Sequence, residues 1–199
     1  MTEPGVYLYW IPLGAGGSGF VRLNGRVYEW FVSRRERRPA LDLFHTALVV
    51  QLPRDTFVVE TMWPRPNLDR ESRGVLVDGP VFTTWLGFAR TFQYEVRCWR
   101  GGWLPDADQA VGGPKLVCRD VERTGQLLDL VGSVPSLVWG RRPTRSGDMW
   151  NSNSVISWLL VKGGVDMAAV VPPRGGRAPG WDAGVAVATD LGSARFDPV

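Results

Sequence analysis

The stretch Asp148-Met149-Trp150-Asn151-Ser152-Asn153-Ser154-Val155-Ile156-Ser157-Trp158-Leu159-Leu160 constrains this chain more than any other. Val155, Ile156, Leu159 and Leu160 recur at helical spacing, Asn151 or Ser152 can cap the start, and Gly163-Gly164 supplies a stop. A helix this apolar needs burial, so the fold has to be built around it. Its polar head places the Ser152 hydroxyl where free backbone N–H groups could stabilise an oxyanion. An ordinary core helix capped by Ser and Asn has the same sequence signature.

With 199 residues, 44% of them hydrophobic, the chain is long enough for one well-buried domain over 1–199 and short for two. Ten Trp, 24 Gly and 15 Pro, with helical periodicity in few places, predict a strand-rich α+β protein with many turns. The net charge of +3 is small, and the only local cationic cluster, Arg34-Arg35-Glu36-Arg37-Arg38, reads as a solvated helix end or loop rather than a nucleic-acid patch. Cys98 and Cys118 with one histidine cannot make a zinc site, and reduced thiols suit a cytoplasmic protein. No signal sequence and no membrane-spanning apolar run is evident. No metal, organic cofactor or nucleic acid is expected, and oligomeric state is not readable.

Along the chain, Val6 to Leu13 reads as a strand, followed by Gly14-Ala15-Gly16-Gly17-Ser18-Gly19. That spells G-x-G-x-x-G, but Phe20 to Gly25 reads as a strand entering a turn, not as the helix a dinucleotide fingerprint requires; a surface loop is preferred to nucleotide binding. Val27, Trp30 and Phe31 predict a short helix ending before Pro39. Leu43 to Gln51 and Asp55 to Met62 predict a hairpin. A loop of Gln51 to Arg54 would set Val50 against Asp55 and His45 directly opposite Glu60. Further expectations are short apolar segments at Val75 to Val77 and Val81 to Trp85, a turn at Asp78-Gly79-Pro80, a strand at Phe92 to Arg100 and a helix at Asp120 to Val131. A Gly/Pro/Arg-rich loop spans Trp139 to Gly147, a turn-rich segment spans 172–184, and Val185 to Ala188 is expected as a closing strand.

His45, the only histidine, is the only side chain whose ordinary pKa suits general-base work at neutral pH. A serine hydroxyl needs such a base within reach, so Ser152 is paired with His45, and Glu60 would orient the imidazole. Backbone N–H groups at Ser152 and Asn153, with Asn151 or Tyr9 as side-chain donors and Trp10 beside them, are the candidate oxyanion and substrate-binding groups.

Phe44-His45-Thr46-Ala47 on a strand, followed about a hundred residues later by Asn151-Ser152-Asn153-Ser154 opening a helix, resembles the circularly permuted branch of the NlpC/P60 papain-like superfamily, to which the lecithin retinol acyltransferase group belongs. The closer likeness is to bacterial families of unknown function with a His-Thr strand, an Asn-Ser-Asn-Thr/Ser helix start and a downstream Pro-Pro, here Pro172-Pro173. Ser152 stands where that branch carries its nucleophilic cysteine. The resemblance implies a mainly antiparallel sheet packed against a helix with the nucleophile at its N-terminus. It also implies hydrolysis or transfer at an amide, ester or thioester of a small-molecule, lipid or peptide acyl substrate. The rival is a scaffold that has lost catalysis and serves as a binding module, with Trp10, Trp150 and Trp181 lining its cleft; the same tryptophans read equally well as core.

Overall fold

Two apolar runs, β1 (Gly5–Pro12) and β2 (Asp42–Gln51), form the centre of the sheet, each turning one side chain in two toward the helical layer. The structure, a computed structural model, describes residues 3–15, 29–64, 69–83, 92–143 and 148–190. β3 (Thr56–Met62), β4 (Val75–Pro80), β5 (Gln93–Arg100) and β6 (Lys115–Cys118) complete the order β4-β5-β3-β2-β1-β6, with every pairing antiparallel. A two-residue strand, β7 (Gly176–Arg177), runs parallel to the start of β2. Among the described residues four α-helices accompany the sheet: α1 (29–36), α2 (Val121–Leu130), α3 (Ser152–Lys162) and α4 (Trp181–Asp190). The architecture is α+β with a mainly antiparallel sheet.

One face of the sheet carries Val6, Leu8, Trp10, Phe44, Leu48, Val50, Val59 and Val96 into a core shared with Val155, Ile156, Leu159 and Leu160 of α3. The other face carries Ile11, Ala47 and Val58 under Leu104, Ala107 and Ala110 of the β5–β6 connection. Burial on both faces explains why strands such as Val6-Tyr7-Leu8 are almost continuously apolar.

α3 is buried nearly all round because α4 covers the side that the sheet leaves open. Two serines let α4 come close: Ser154 Oγ donates to Gly180 O at 2.7 Å and Ser157 Oγ to Trp181 O at 2.8 Å. Gly184 then meets the α3 backbone so tightly that a Cβ would stand 2.0 Å from Ser154 O. α3 ends as its glycines foretell, with Gly163 N–H bonding Leu159 O and Gly164 turned to φ +70°.

Several expectations are corrected. Val185 to Ala188 belongs to α4, not to a strand: Trp181, Ala183, Gly184, Val187 and Ala188 are its buried positions, a helical period that the local Val-Ala-Val-Ala alternation disguises. Asp78-Gly79-Pro80 lies within β4 rather than in a turn, and Gly79 is there because a Cβ would fall 2.5 Å from the Tyr94 ring. Val81 makes only an isolated bridge to Trp139. α1 forms, but Trp30 and Phe31 face solvent while Glu29 and Ser33 are its buried residues. The β2–β3 loop is Leu52 to Asp55, closed by Leu52 N–H on Asp55 O at 2.7 Å, so Val50 pairs with Phe57 instead of Asp55. Residues 16–28, hence most of the glycine loop, the Phe20 to Gly25 expectation and Val27, lie outside the described residues, as do 84–85 and 144–147.

The contact between α3 and α4 predicts opposite outcomes for two helical glycines. Gly184→Ala should lower stability by about 1–3 kcal/mol through overpacking. Gly125→Ala, in α2 with open space at its Cβ, should raise it by roughly 0.5–1 kcal/mol. Urea unfolding of both variants checks the pair.

Candidate active site

β2 pairs with β3 only over Leu48–Gln51 against Thr56–Val59. Upstream of Leu48, β2 stays with β1 as far as Phe44, while β3 continues along β5 as far as Met62. The head of α3 docks on this upstream half of β2 through Asn153. Its Oδ1 accepts from Thr46 Oγ1 at 2.8 Å, and its Nδ2 donates to Phe44 O and Pro179 O, both at 2.9 Å. Asn153 and Thr46 are buried, so these bonds form in a low-dielectric setting where each is costly to leave unmade.

That docking brings Ser152 to His45, with Oγ 3.1 Å from Nδ1. The opposite ring nitrogen, Nε2, stands 3.0 Å from Glu60 Oε1. A carboxylate only accepts, so Nε2 carries the proton toward Glu60 and Nδ1 presents its lone pair to the Ser152 hydroxyl. The register error noted above is two residues, an even number, so Glu60 keeps the face of His45 and reaches it diagonally rather than from directly opposite. The His45 and Glu60 side chains are 19% and 12% exposed, shielded but reachable from solvent.

The expected oxyanion groups divide. Asn151 is the N-cap of α3: its Oδ1 accepts from Asn153 N–H at 2.9 Å, and its Nδ2 donates to Pro179 O at 2.9 Å. Both amides, Asn151 and Asn153, are thus structural, and the Asn153 N–H is already engaged. The Ser152 N–H, at the first helical position, has no intrahelical acceptor and is the donor that remains. Tyr9 pairs with Ala47 and so shares the face of His45, and burial, then the neighbouring Tyr7, raises its phenol above the ordinary value. Trp10 is corrected: it points to the opposite face, 2% exposed, with its ring 5.0 Å from that of Trp181. Trp150 and Trp181 are also core residues, so these three tryptophans do not line a cleft.

One site residue escaped the sequence. Asp106 precedes the short 3-10 turn Ala107–Gln109 that packs over the His45 face, yet its carboxyl makes no capping bond. Burial, then the charges of Glu60 and Asp108, raises its pKa, while His45 lowers it. A hint was available in Leu104-Pro105-Asp106, where an Asp opens a turn, but nothing local tells which strand the turn covers. Glu60 Oε2 is buried and has no hydrogen-bond partner among the described residues. Neither thiol takes part: Cys98 pairs opposite Val59 on the helical face, and burial pushes it up to about 11. A cleft of about 620 Å³ lies at the Phe44 end of β2, between Pro12, Leu13, Trp30, Leu41, Leu43 and Val111.

Compared with protein-family models, with curated proteins and with solved structures, the chain finds no significant match.

Asn153→Ala should destabilise the protein by about 1–3 kcal/mol through the loss of the donor to Phe44 O, since Pro179 O keeps its bond from Asn151; denaturant unfolding measures this, and the variant should release Ser152 from His45. Burial, then the charges of Glu60 and Asp108, hold the Asp106 carboxyl above its ordinary pKa, so its ionised form costs the folded state stability. Asp106→Asn should therefore stabilise the protein at neutral pH, and the gain should fade as pH falls through the carboxylate range, read by urea unfolding against pH.

Proposed function

We propose that the protein is a serine-type acyl hydrolase or acyltransferase on a permuted papain-like scaffold. The single observation that supports this reading is the continuous relay from Ser152 Oγ through His45 to Glu60, at 3.1 and 3.0 Å. Two lines of the same reading support each other: the sequence resemblance assigns nucleophile and base to Ser152 and His45, and the geometry has them in contact without having been used to choose them.

The chemistry follows from the relay. Ser152 Oγ attacks the carbonyl carbon of an amide, ester or thioester while its proton passes to His45 Nδ1. The imidazolium that forms is held by Glu60 through Nε2–H, and the carbonyl oxygen gathers charge beside the free N–H of Ser152 at the positive end of α3. Collapse of the tetrahedral species breaks the bond to the leaving group, which takes the proton back from Nδ1. Water, or a second nucleophile in transfer, then attacks the acyl carbon as its proton passes to His45 Nδ1, and the acyl–Oγ bond breaks as Ser152 Oγ takes that proton back. The residual alternative, a non-catalytic binding module, loses its main support with the burial of Trp10, Trp150 and Trp181.

Reaction with a fluorophosphonate probe, followed by peptide mapping, tests the proposal. Labelling should fall on Ser152, vanish in Ser152→Ala and His45→Ala, and slow by about 10²–10⁴-fold in Glu60→Gln. Ser152→Cys should be alkylated by iodoacetamide faster than Cys98, since a thiol beside an imidazole at a helix start ionises readily. A folded protein that takes no label at Ser152 would sink the catalytic reading.

A further inference from the structure

α1 carries an exposed face of aromatic and cationic side chains. Trp30 and Phe31 are 47% and 63% exposed and pack edge to face, with ring centroids 4.7 Å apart. Arg34 lies over the Trp30 ring at 4.3 Å, and Arg35 and Arg37 follow it, all exposed. None of these three arginines makes an ion pair with an acid among the described residues. The fourth of the cluster behaves differently. Arg38 turns inward to the buried Glu29, to Glu36 at 2.6 Å and to Pro39 O at 2.9 Å. Arg37 adopts φ +53°, which ends the helix and turns Arg38 inward. Glu29 also accepts from Leu41 N–H at 2.8 Å, so the aromatic and cationic side chains stand on a helix tied to the edge of the 620 Å³ cleft.

We propose that this patch docks the protein onto an anionic lipid surface, with Trp30 and Phe31 entering the headgroup layer and Arg34, Arg35 and Arg37 meeting lipid phosphates. Charge complementarity commits the surface to an acidic partner. The acids nearby are Glu29 and Glu36, both occupied by Arg38 and Arg177, and Asp42 on the cleft rim. The aromatic geometry selects lipid over nucleic acid. A base-stacking platform needs an open ring face, whereas Trp30 has Arg34 over its ring and Phe31 standing at 82° to it. Side by side, an amphipathic indole and an apolar ring above arginines form the pairing that lies well at a bilayer interface, where the guanidinium stems can snorkel to the phosphates. The neighbouring cleft walls, Leu13, Leu41, Leu43 and Val111, extend the apolar part of this face. The inference does not depend on the acyl chemistry of Ser152.

Co-sedimentation of the whole chain with phosphatidylcholine vesicles, with and without phosphatidylglycerol, tests it. Binding should require phosphatidylglycerol, weaken at high salt, and drop about fivefold for each of Arg34, Arg35 and Arg37 changed to Gln. Trp30→Ser combined with Phe31→Ser should abolish it, and Arg119→Gln, on a distant exposed position, should leave it unchanged. Circular dichroism establishes that each variant is folded, and the arginine series stands by itself if the aromatic variant fails to fold. Absence of pelleting with anionic vesicles at low salt would overturn the proposal, as would binding that is equal in the folded patch variants. Salt-sensitive binding of a single-stranded oligonucleotide without vesicle binding would overturn it in favour of nucleic acid.

Discussion

A single buried amide holds the candidate site together. Asn153 uses its carbonyl oxygen and both amide hydrogens, accepting from Thr46 and donating to Phe44 O and Pro179 O. Those partners belong to β2 and to the turn before α4, so one side chain joins the strand that carries His45, the helix that starts at Ser152, and the helix that covers it. Asn151 repeats the theme from the other side of Ser152, capping α3 while also bonding Pro179 O. The relay of Ser152, His45 and Glu60 then needs little adjustment of its own, because its backbones are fixed by neighbours.

The sheet beneath adds electrostatic order. On the face of His45, Glu60 stands across from Arg97 in the β3–β5 ladder, and Arg97 shares Glu95 with Arg73 in a buried cluster. Burial would push the Glu95 carboxyl up, but its hydrogen bonds and charge contacts with the two guanidinium groups outweigh this and hold it below the ordinary range. Charged residues on this face continue toward the relay and Asp106, whereas the helical face of the same strands is almost wholly apolar. A strand period of two separates the two environments residue by residue.

How much of this could be read from the chain varies with the range of the interaction responsible. α3 was legible because its cap, its apolar spacing and its glycine stop are local. The closeness of His45 and Glu60 was legible for a subtler reason: the hairpin loop was misplaced by one residue at each end, which shifts the pairing by two and preserves the face. A shift of one would have sent Glu60 into the helical layer. Asp106 was not legible, since the turn that carries it gains meaning only from the strands under it. The same holds for α4, whose Val-Ala alternation imitates a strand until α3 is there to receive Gly184. The sequence left Trp10, Trp150 and Trp181 open between cleft and core, since an indole suits both; burial makes all three core, while Trp30 lies outside.

Among the described residues, the side chain at 152 has no hydrogen bond beyond its contact with His45. Its place is dictated by Asn151, Asn153, Thr46 and the carbonyl of Pro179, none of which senses what atom sits at the γ position. Fold and γ atom are therefore heritable apart from each other: a lineage can exchange oxygen for sulfur there, or lose the atom altogether, without passing through an unfolded ancestor.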